Sequence, residues 1–210
     1  MNEGTTTVFA VDDDPSVRKA TERLLRSAGF RVQVFAAAQD FLDAYHHDVA
    51  GCVILDLAMP GLDGLQLQQQ LTEHGGVLPI IFLTGHGDIP TSVQAMKQGA
   101  ADFLTKPVDD EKLLAAVRHA LERCTTLLTA RRESTDFERR LATLTPRERD
   151  VLGHLLTGAL NKRIAAALGT SEKTIKFHRA HIMQKMDAPT LAILVARAER
   201  TGSRVQLTAS

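Results

Sequence analysis

The sequence predicts an α/β fold with five parallel strands in a doubly wound sheet, followed by a small all-α domain. Short apolar runs alternate with helical patterns over residues 6–120, and residues 144–200 carry a helical pattern throughout. Apolar runs of this length are typical of strands buried on both faces of a parallel sheet. The predicted strands are Thr7–Val11, Arg31–Phe35, Cys52–Leu55, Ile80–Thr84 and Asp102–Thr105.

Helix start and end signals lie between these strands. Asp14 followed by Pro15 predicts an N-cap with proline at the first helical position, and Gly29 is expected to end that helix. Strict alternation of strands and helices implies the doubly wound topology. Further helices are predicted at about Ala38–Tyr45, Leu65–Glu73 and Pro90–Gln98.

The fifth helix is expected to begin at a cap formed by Asp109. Its apolar spacing continues through Cys124 and Leu128 and fails at Arg131, so we expect it to extend by about two turns beyond the sheet. Residues 129–143 are polar and predict a linker. The chain is therefore divided into a first domain at 1–122, a linker with a partly helical start at 123–143, and a second domain at 144–210.

Four helices are predicted in the second domain. The segment Thr145-Pro146-Arg147-Glu148 is a capping box with proline at the first helical position. Asn161 is predicted to cap a short second helix, and a turn at Leu168-Gly169-Thr170-Ser171 leads into a third at Glu172–Met186, before a fourth at about Thr190–Arg200. A helix, a glycine turn and a helix at this spacing indicate a helix-turn-helix.

Composition excludes several classes of protein. Apolar residues make up 44% and charged residues 24% of the chain, as in ordinary soluble globular proteins. No apolar stretch is long enough to span a membrane, and the first residues lack a signal-peptide pattern, so we expect a cytoplasmic protein without a membrane partner. Cys52 and Cys124 show no paired spacing, and a disulfide is not expected in a reducing compartment.

The formal net charge of zero hides a difference between the two parts of the chain. Residues 1–128 hold 10 Lys and Arg against 17 Asp and Glu, whereas residues 129–210 hold 15 against 8. An acidic first part suits the binding of a metal ion, and a basic second part suits contact with a polyanion. An accidental asymmetry is the alternative interpretation.

Five polar side chains are predicted to end strands of the sheet. Asp12, Asp13, Asp56, Thr84 and Lys106 each end or directly follow an apolar run. Ligands of open parallel sheets bind beyond the carboxyl ends of the strands. Mg²⁺ (or Mn²⁺) held by the carboxylates would compensate their clustered charge, and an aspartate can then accept a phosphoryl group. The sequence therefore predicts a phosphate-accepting switch.

Other residues near these runs have a simpler explanation. Asp14 is better explained as a helix N-cap than as a metal ligand. Asp63 and Gly64 fit turn chemistry better than catalysis.

The third helix of the second domain presents two different faces. Ile175, Ile182 and Met186 share one face, and the opposite face gathers Lys173, Lys176, Phe177, Ala180 and Gln184. The second face is predicted to enter a DNA major groove, where Lys176, Phe177 and Ala180 are placed for bases. The residues predicted to contact phosphates are Lys173, Thr174, His178 and Arg179. A charged outer face without a partner is the alternative interpretation.

Residues 6–121 resemble the receiver domain of two-component response regulators, which has a flavodoxin-like fold. The segments that carry the resemblance are Val11-Asp12-Asp13-Asp14, Leu55-Asp56-Leu57-Ala58-Met59-Pro60-Gly61, Phe82-Leu83-Thr84-Gly85 and Phe103-Leu104-Thr105-Lys106-Pro107. The segment Gly85-His86-Gly87-Asp88-Ile89-Pro90 resembles the NarL/FixJ type, and the FixJ subfamily in particular.

This resemblance implies roles for individual residues. Asp56 would accept phosphate from a histidine kinase, and Asp12, Asp13 and the backbone carbonyl of Ala58 would hold magnesium with it. Thr84 and Phe103 would form a switch pair. Ala58 is smaller than the residue that the family often carries there, so we expect water to reach the acyl phosphate and shorten its lifetime.

Residues 141–200 resemble the LuxR-type helix-turn-helix. The resemblance is carried by Leu144-Thr145-Pro146-Arg147-Glu148, Asn161-Lys162-Arg163-Ile164-Ala165 and Thr174-Ile175-Lys176-Phe177-His178-Arg179. Together the two resemblances predict a phosphorylation-dependent transcriptional regulator, with the subfamily favouring an activator. A homodimer formed on phosphorylation would bind an operator with two half-sites, and RNA polymerase is a candidate partner.

We expect the receiver to catalyse only its own phosphorylation and dephosphorylation. Two other functions fit the same residues. The receiver could act as a sink that takes up and loses phosphate, or it could serve only as a protein-docking module.

Overall fold

The structure, a computed structural model, describes residues 6–46, 49–73, 76–85 and 89–202. The chain separates into two compact units, Met1–Leu128 and Thr129–Ser210. The first unit contains β1 (Thr7–Val11), α1 (Pro15–Ser27), β2 (Arg31–Phe35), α2 (Ala38–Ala44), β3 (Gly51–Leu55), α3 (Gly64–Glu73), β4 (Ile80–Thr84), α4 (Ile89–Lys97), β5 (Asp102–Thr105) and the start of α5 (Asp110–Ala142). The predicted strands are confirmed, with β3 beginning one residue earlier.

The five strands form one parallel sheet in the order β2-β1-β3-β4-β5. The chain leaves β1 for β2 on one side and then crosses to β3 on the other side. The point at which the strand order reverses lies between β1 and β3, whose ends are level because Val11 pairs with Leu55. Side chains that follow these two strands therefore meet at the edge where ligands bind in such sheets.

Alternate residues of each central strand enter two apolar layers, one on each face of the sheet. Phe9, Leu55 and Phe82 belong to one layer, and Val8 and Ile81 belong to the other. Burial on both faces is why β1, β3 and β4 read as continuous apolar runs.

The predicted start of α1 is also confirmed, since the Asp14 side chain accepts the backbone N–H of Ser16 at 2.8 Å. A hydrogen bond from the backbone N–H of Lys112 to the Asp109 side chain, at 3.1 Å, agrees with the predicted cap of the fifth helix.

The predicted linker at 123–143 differs from the structure, because α5 continues as one helix to Ala142. Two interactions explain why the polar segment is helical. Asp136 pairs with Arg139 at 2.5 Å and Arg140 at 2.7 Å, the spacing of neighbours on a helix surface. Phe137 is buried in the core of the second unit, which holds this part of the helix in place.

The second unit contains the end of α5 followed by α6 (Pro146–Leu156), α7 (Asn161–Ala167), α8 (Glu172–Lys185) and α9 (Leu191–Arg200). The capping box at α6 is confirmed, with Thr145 and Glu148 bonded reciprocally. The prediction that Asn161 caps α7 is wrong. Leu160 has the extended backbone of an N-cap and makes no side-chain cap bond, so Asn161 is already the first helical residue.

Ser171 caps α8 and Thr190 caps α9, each through a side-chain oxygen. In the part of the chain that the structure describes, no helix combines the length and apolar character that a membrane span requires.

Candidate phosphorylation site and candidate DNA-binding helix

Three carboxylates meet at the switch point of the sheet. Asp12 and Asp13 follow β1 and Asp56 follows β3, and one oxygen from each lies within 4.8 Å of the others. The backbone supports this grouping, since the N–H of Asp56 donates to the carbonyl of Val11 at 3.0 Å. Asp12 and Asp56 are buried, whereas Asp13 is exposed to solvent. The structure thus brings together the acids that the strand ends predicted.

Lys106 reaches the same carboxylates from the end of β5. Its Nζ lies 2.6 Å from Oδ2 of Asp12 and 3.2 Å from Oδ2 of Asp56. Asp12 is the closer of its two partners.

The charges at this edge act on each other's ionisation. Burial raises the pKa of Asp12, and the hydrogen bond from Lys106 opposes that rise. Burial lowers the pKa of Lys106, but the hydrogen bonds and charges of Asp12 and Asp56 outweigh burial and raise it.

The three carboxylates suit a hard divalent cation. When all of them are ionised, three negative charges stand against the single ammonium group of Lys106. Oxygen ligands of this kind are those that Mg²⁺ and Mn²⁺ prefer, and a doubly charged ion would neutralise the excess. Ala58, whose carbonyl the resemblance adds to the ligand set, lies exposed two residues after Asp56.

Arg18 fixes the loop that carries two of these acids, and sequence reasoning missed it. Its Nη1 donates to the backbone carbonyl of Asp12 at 2.6 Å and to that of Asp13 at 3.1 Å. The Asp12 side chain also accepts the backbone N–H of Asp14 at 2.9 Å. A cation one turn into the helix that follows three acids was the available signal. The loop is therefore held by side chains as well as by the sheet.

Gly64, the first residue of α3, lies close to the backbone that follows β3. Its N–H donates to the carbonyl of Leu57 at 3.0 Å. A Cβ atom at this position would collide with the carbonyl oxygen of Asp56 and would lie 3.0 Å from the Cα of Leu57. Any larger residue would displace the backbone that carries the candidate phosphorylation site.

Thr84 and Phe103 lie on the neighbouring strands. Thr84 is fully buried at the end of β4, and its carbonyl accepts the backbone N–H of Lys106 at 2.8 Å. The Phe103 ring is half-buried, with its centroid 6.1 Å from that of Phe82. Phe103 lies on β5, the strand that Lys106 follows, and Thr84 lies on the adjacent strand β4.

The second candidate site is the outward face of α8. Ile175 and Ile182 are buried against the core of the second unit, and Met186 follows them in the same core. The predicted DNA-contact residues Lys173, Lys176, Phe177 and Ala180 are exposed, and Thr174, His178 and Arg179 are half-buried. Nζ of Lys176 lies 3.7 Å from Oε1 of Glu172, and Nη1 of Arg179 donates a hydrogen bond to Oδ1 of Asn161 at 3.4 Å.

The two parts of the chain match two protein families. A model of the response regulator receiver domain matches residues 8–118, and a model of bacterial regulatory proteins of the luxR family matches residues 142–198. The chain belongs to the response regulators. This response regulator is of the NarL/FixJ type, because the receiver is followed by a luxR-type DNA-binding domain.

Individual relatives cover most of the response regulator. Nodulation protein W of Bradyrhizobium diazoefficiens is 45% identical over 93% of this chain and 86% of its own length. The transcriptional regulatory protein FixJ of the same organism is 42% identical over 93% of this chain and 95% of its own length. The solved structure of the response regulator StyR superimposes with a TM-score of 0.82 at 45% identity, covering 94% of this chain and all of its own.

These findings confirm the fold and the general function predicted from the sequence. The chain is a DNA-binding transcriptional regulator of a two-component system.

Proposed function

We propose that this response regulator takes phosphate from a histidine kinase onto Asp56 in the cytoplasm, and that phosphorylation controls DNA binding by α8. The main support for this proposal is that carboxylate oxygens of Asp12, Asp13 and Asp56 lie within 4.8 Å of one another. Lys106 contacts two of these carboxylates. Asp12, Asp13, Asp56 and the carbonyl of Ala58 would hold Mg²⁺ (or Mn²⁺). The bound ion would neutralise charge on the incoming phosphoryl group.

In the transfer step, a carboxylate oxygen of Asp56 forms a bond to phosphorus. The bond between phosphorus and the kinase histidine nitrogen breaks, and the histidine takes up a proton. Lys106 already touches Asp56, so its ammonium group can turn to the phosphoryl oxygens without leaving the site. The receiver needs to supply only position and charge, and loss of the phosphate to water is the only other chemistry that we assign to it.

The signal would leave the site through Thr84 and Phe103. Thr84 would turn its hydroxyl toward the phosphoryl group, and Phe103 would move into the space that Thr84 vacates. The face of α4, β5 and α5 would then change shape and form a homodimer. Three exposed apolar side chains on α4 support this interface, namely Ile89, Val93 and Met96.

A dimer would place two copies of α8 on an operator with two half-sites. Lys176, Phe177 and Ala180 would face base edges, while Lys173, Thr174, His178 and Arg179 would contact phosphates. RNA polymerase is the expected further partner, because we assign the regulator the role of an activator.

The test combines labelling with footprinting on the full chain. A radiolabelled small-molecule phosphoryl donor should label wild-type protein in Mg²⁺ and leave Asp56→Asn unlabelled. Footprinting of selected DNA should show protection that increases with the donor in wild-type protein and not in Asp56→Asn. Asp14→Asn is the matched control, because asparagine caps a helix as well as aspartate does. Labelled Asp56→Asn, or equal occupancy with and without donor, would overturn the proposal.

Lys176→Ala separates a regulator from a phosphate sink. Loss of the exposed Lys176 ammonium group should weaken DNA binding while phosphorylation of Asp56 proceeds at the wild-type rate. Unchanged DNA binding in this variant would favour the sink.

The exposed Ala58 is expected to shorten the lifetime of the phosphate on Asp56. A small side chain beside the acyl phosphate leaves room for the attacking water. The half-life should therefore lengthen in Ala58→Asn, and an unchanged half-life would count against this role.

A further inference from the structure

Two aromatic rings contact each other on the outward face of α8. Phe177 and His181 are four residues apart, and their ring centroids lie 4.2 Å from each other at an interplanar angle of 52°. Phe177 is 59% exposed, whereas His181 is half-buried. His178 is a more distant neighbour, at 6.0 Å from the Phe177 ring. The Phe177 ring is therefore exposed and, at the same time, in contact with a second ring.

The fold of the second unit does not account for this arrangement. Ile175 and Ile182 fill the core from the opposite face of α8, so Phe177 contributes nothing to that core. An isolated exposed ring on a protein surface needs no explanation. A ring that a neighbour orders has already lost side-chain freedom, and an ordered group binds a partner at a smaller entropic cost.

We propose that Phe177 and His181 form a two-ring reader that selects thymine through its 5-methyl group. This inference rests on the proposed function of α8 as the DNA-reading helix. The 5-methyl group of thymine is the apolar group that base edges present in the major groove, and cytosine lacks it. Ala180, three residues after Phe177, is exposed and small, so it leaves space for a base edge beside the ring.

The two rings have different roles. Phe177 contacts the methyl group, and His181 is a positioning residue that packs against Phe177. Lys176, next to Phe177, carries a charge and hydrogen-bond donors, and neither can distinguish a methyl group from hydrogen. Methyl selectivity and total affinity should therefore depend on different residues of one helix.

The experiment uses the full chain, treated with beryllofluoride and Mg²⁺, and duplex DNA recovered by selection from a random pool. Each thymine of a half-site is replaced in turn by deoxyuridine, which removes only the methyl group. One position should lose about fourfold in affinity, the value of one buried methyl group. The ratio of the two affinities should fall to about one in Phe177→Ala.

Two further variants assign the roles. His181→Ala should reduce the thymine to uracil ratio, and His181→Phe should restore it because a ring again packs against Phe177. Lys176→Ala is the matched control, which should bind more weakly overall and keep the wild-type ratio.

A measurement on wild-type protein makes the result independent of any folding defect. A thymine-to-cytosine change at the sensitive position should weaken binding, and 5-methylcytosine at that position should restore part of the loss. The proposed reader would be overturned if uracil had no effect at any position. It would also be overturned if the thymine to uracil affinity ratio in Phe177→Ala were the same as in wild type. Absence of specific binding by the wild-type protein would instead overturn the proposed function of α8.

Discussion

Gln68 on α3 carries a buried oxygen that lacks a hydrogen bond. The side chain is 2% exposed, and its Nε2 donates to the carbonyl of Ala95 on α4 at 3.1 Å. Among the residues that the structure describes, no donor reaches its Oε1. Exchanging Oε1 and Nε2 would place two oxygens against each other at Ala95, so the orientation is fixed. We predict that Gln68→Met makes the receiver more stable.

The size of the effect follows from the groups that change. An unpaired buried acceptor costs about 1–3 kcal/mol, and the lost hydrogen bond contributes about 1 kcal/mol. The carbonyl of Ala95 keeps its bond from the backbone N–H of Ala100, at 3.1 Å, so no new unpaired group appears. Methionine is similar in length to glutamine and is apolar, which favours burial. The expected net gain is about 1 kcal/mol, or roughly 4 °C in melting temperature.

Differential scanning calorimetry of the full chain measures this gain in the transition that responds to Mg²⁺. Gln69→Met is the matched control, because Gln69 lies next to Gln68 on α3 but is exposed and bonds only Glu73 among the described residues, at 2.8 Å. The control should change stability by less than about 0.5 kcal/mol. An unchanged or lower melting temperature in Gln68→Met, together with a neutral control, would refute the reasoning.

Three other predictions concern Glu148, the candidate metal site and the cysteines. Glu148 is 3% exposed and accepts a hydrogen bond from Nζ of Lys185 at 2.6 Å. Because Glu148→Gln removes the charge from this buried bond, it should destabilise the second unit by about 1–3 kcal/mol, measured by urea unfolding. The hydrogen bond from Lys185 holds the pKa of Glu148 below its ordinary 4.5. The stability that Glu148 contributes should therefore be complete above about pH 4.5 and be lost as the pH falls through the folded-state pKa. A constant stability difference between wild type and Glu148→Gln at all pH values would contradict this prediction. Addition of Mg²⁺ should raise the melting temperature of the receiver, and chelation should reverse the rise. The melting temperature of Asp13→Asn should rise much less with Mg²⁺. An equal rise in Asp13→Asn and wild type would place the ion elsewhere. Burial raises the pKa of the thiols of Cys52 and Cys124, so neither should react with a thiol reagent before unfolding, and stoichiometric labelling of native protein would show that they are accessible.

The sheet and the acidic site could be predicted because they depend on short-range patterns. Continuous apolar runs mark strands buried on both faces, and parallel strands end at a common edge. Asp12 and Asp56 were therefore expected at the same edge, and the pairing of β1 with β3 in the structure brings them together. Asp14 and Thr145 were correctly assigned as caps for a similar reason, since a cap and its partner are only two or three residues apart.

Contacts between distant segments could not be predicted in this way. The helical course of residues 129–142 depends on Phe137, whose burial requires the complete core of the second unit. Asn161 is a residue type that often caps helices, but the extended backbone at Leu160 makes α7 begin one residue earlier than a cap at Asn161 would.

Residue types and their spacing were thus enough to predict a parallel sheet with carboxylates at one edge and a helix-turn-helix, because each rests on a periodicity or on the ends of strands. The folded molecule alone established that Lys106 lies closer to Asp12 than to Asp56, that Arg18 holds the loop of acids, and that the Phe177 ring packs against that of His181. These arrangements depend on side-chain rotamers and on packing between elements. Such packing is set by the whole core and leaves no periodic trace in the chain.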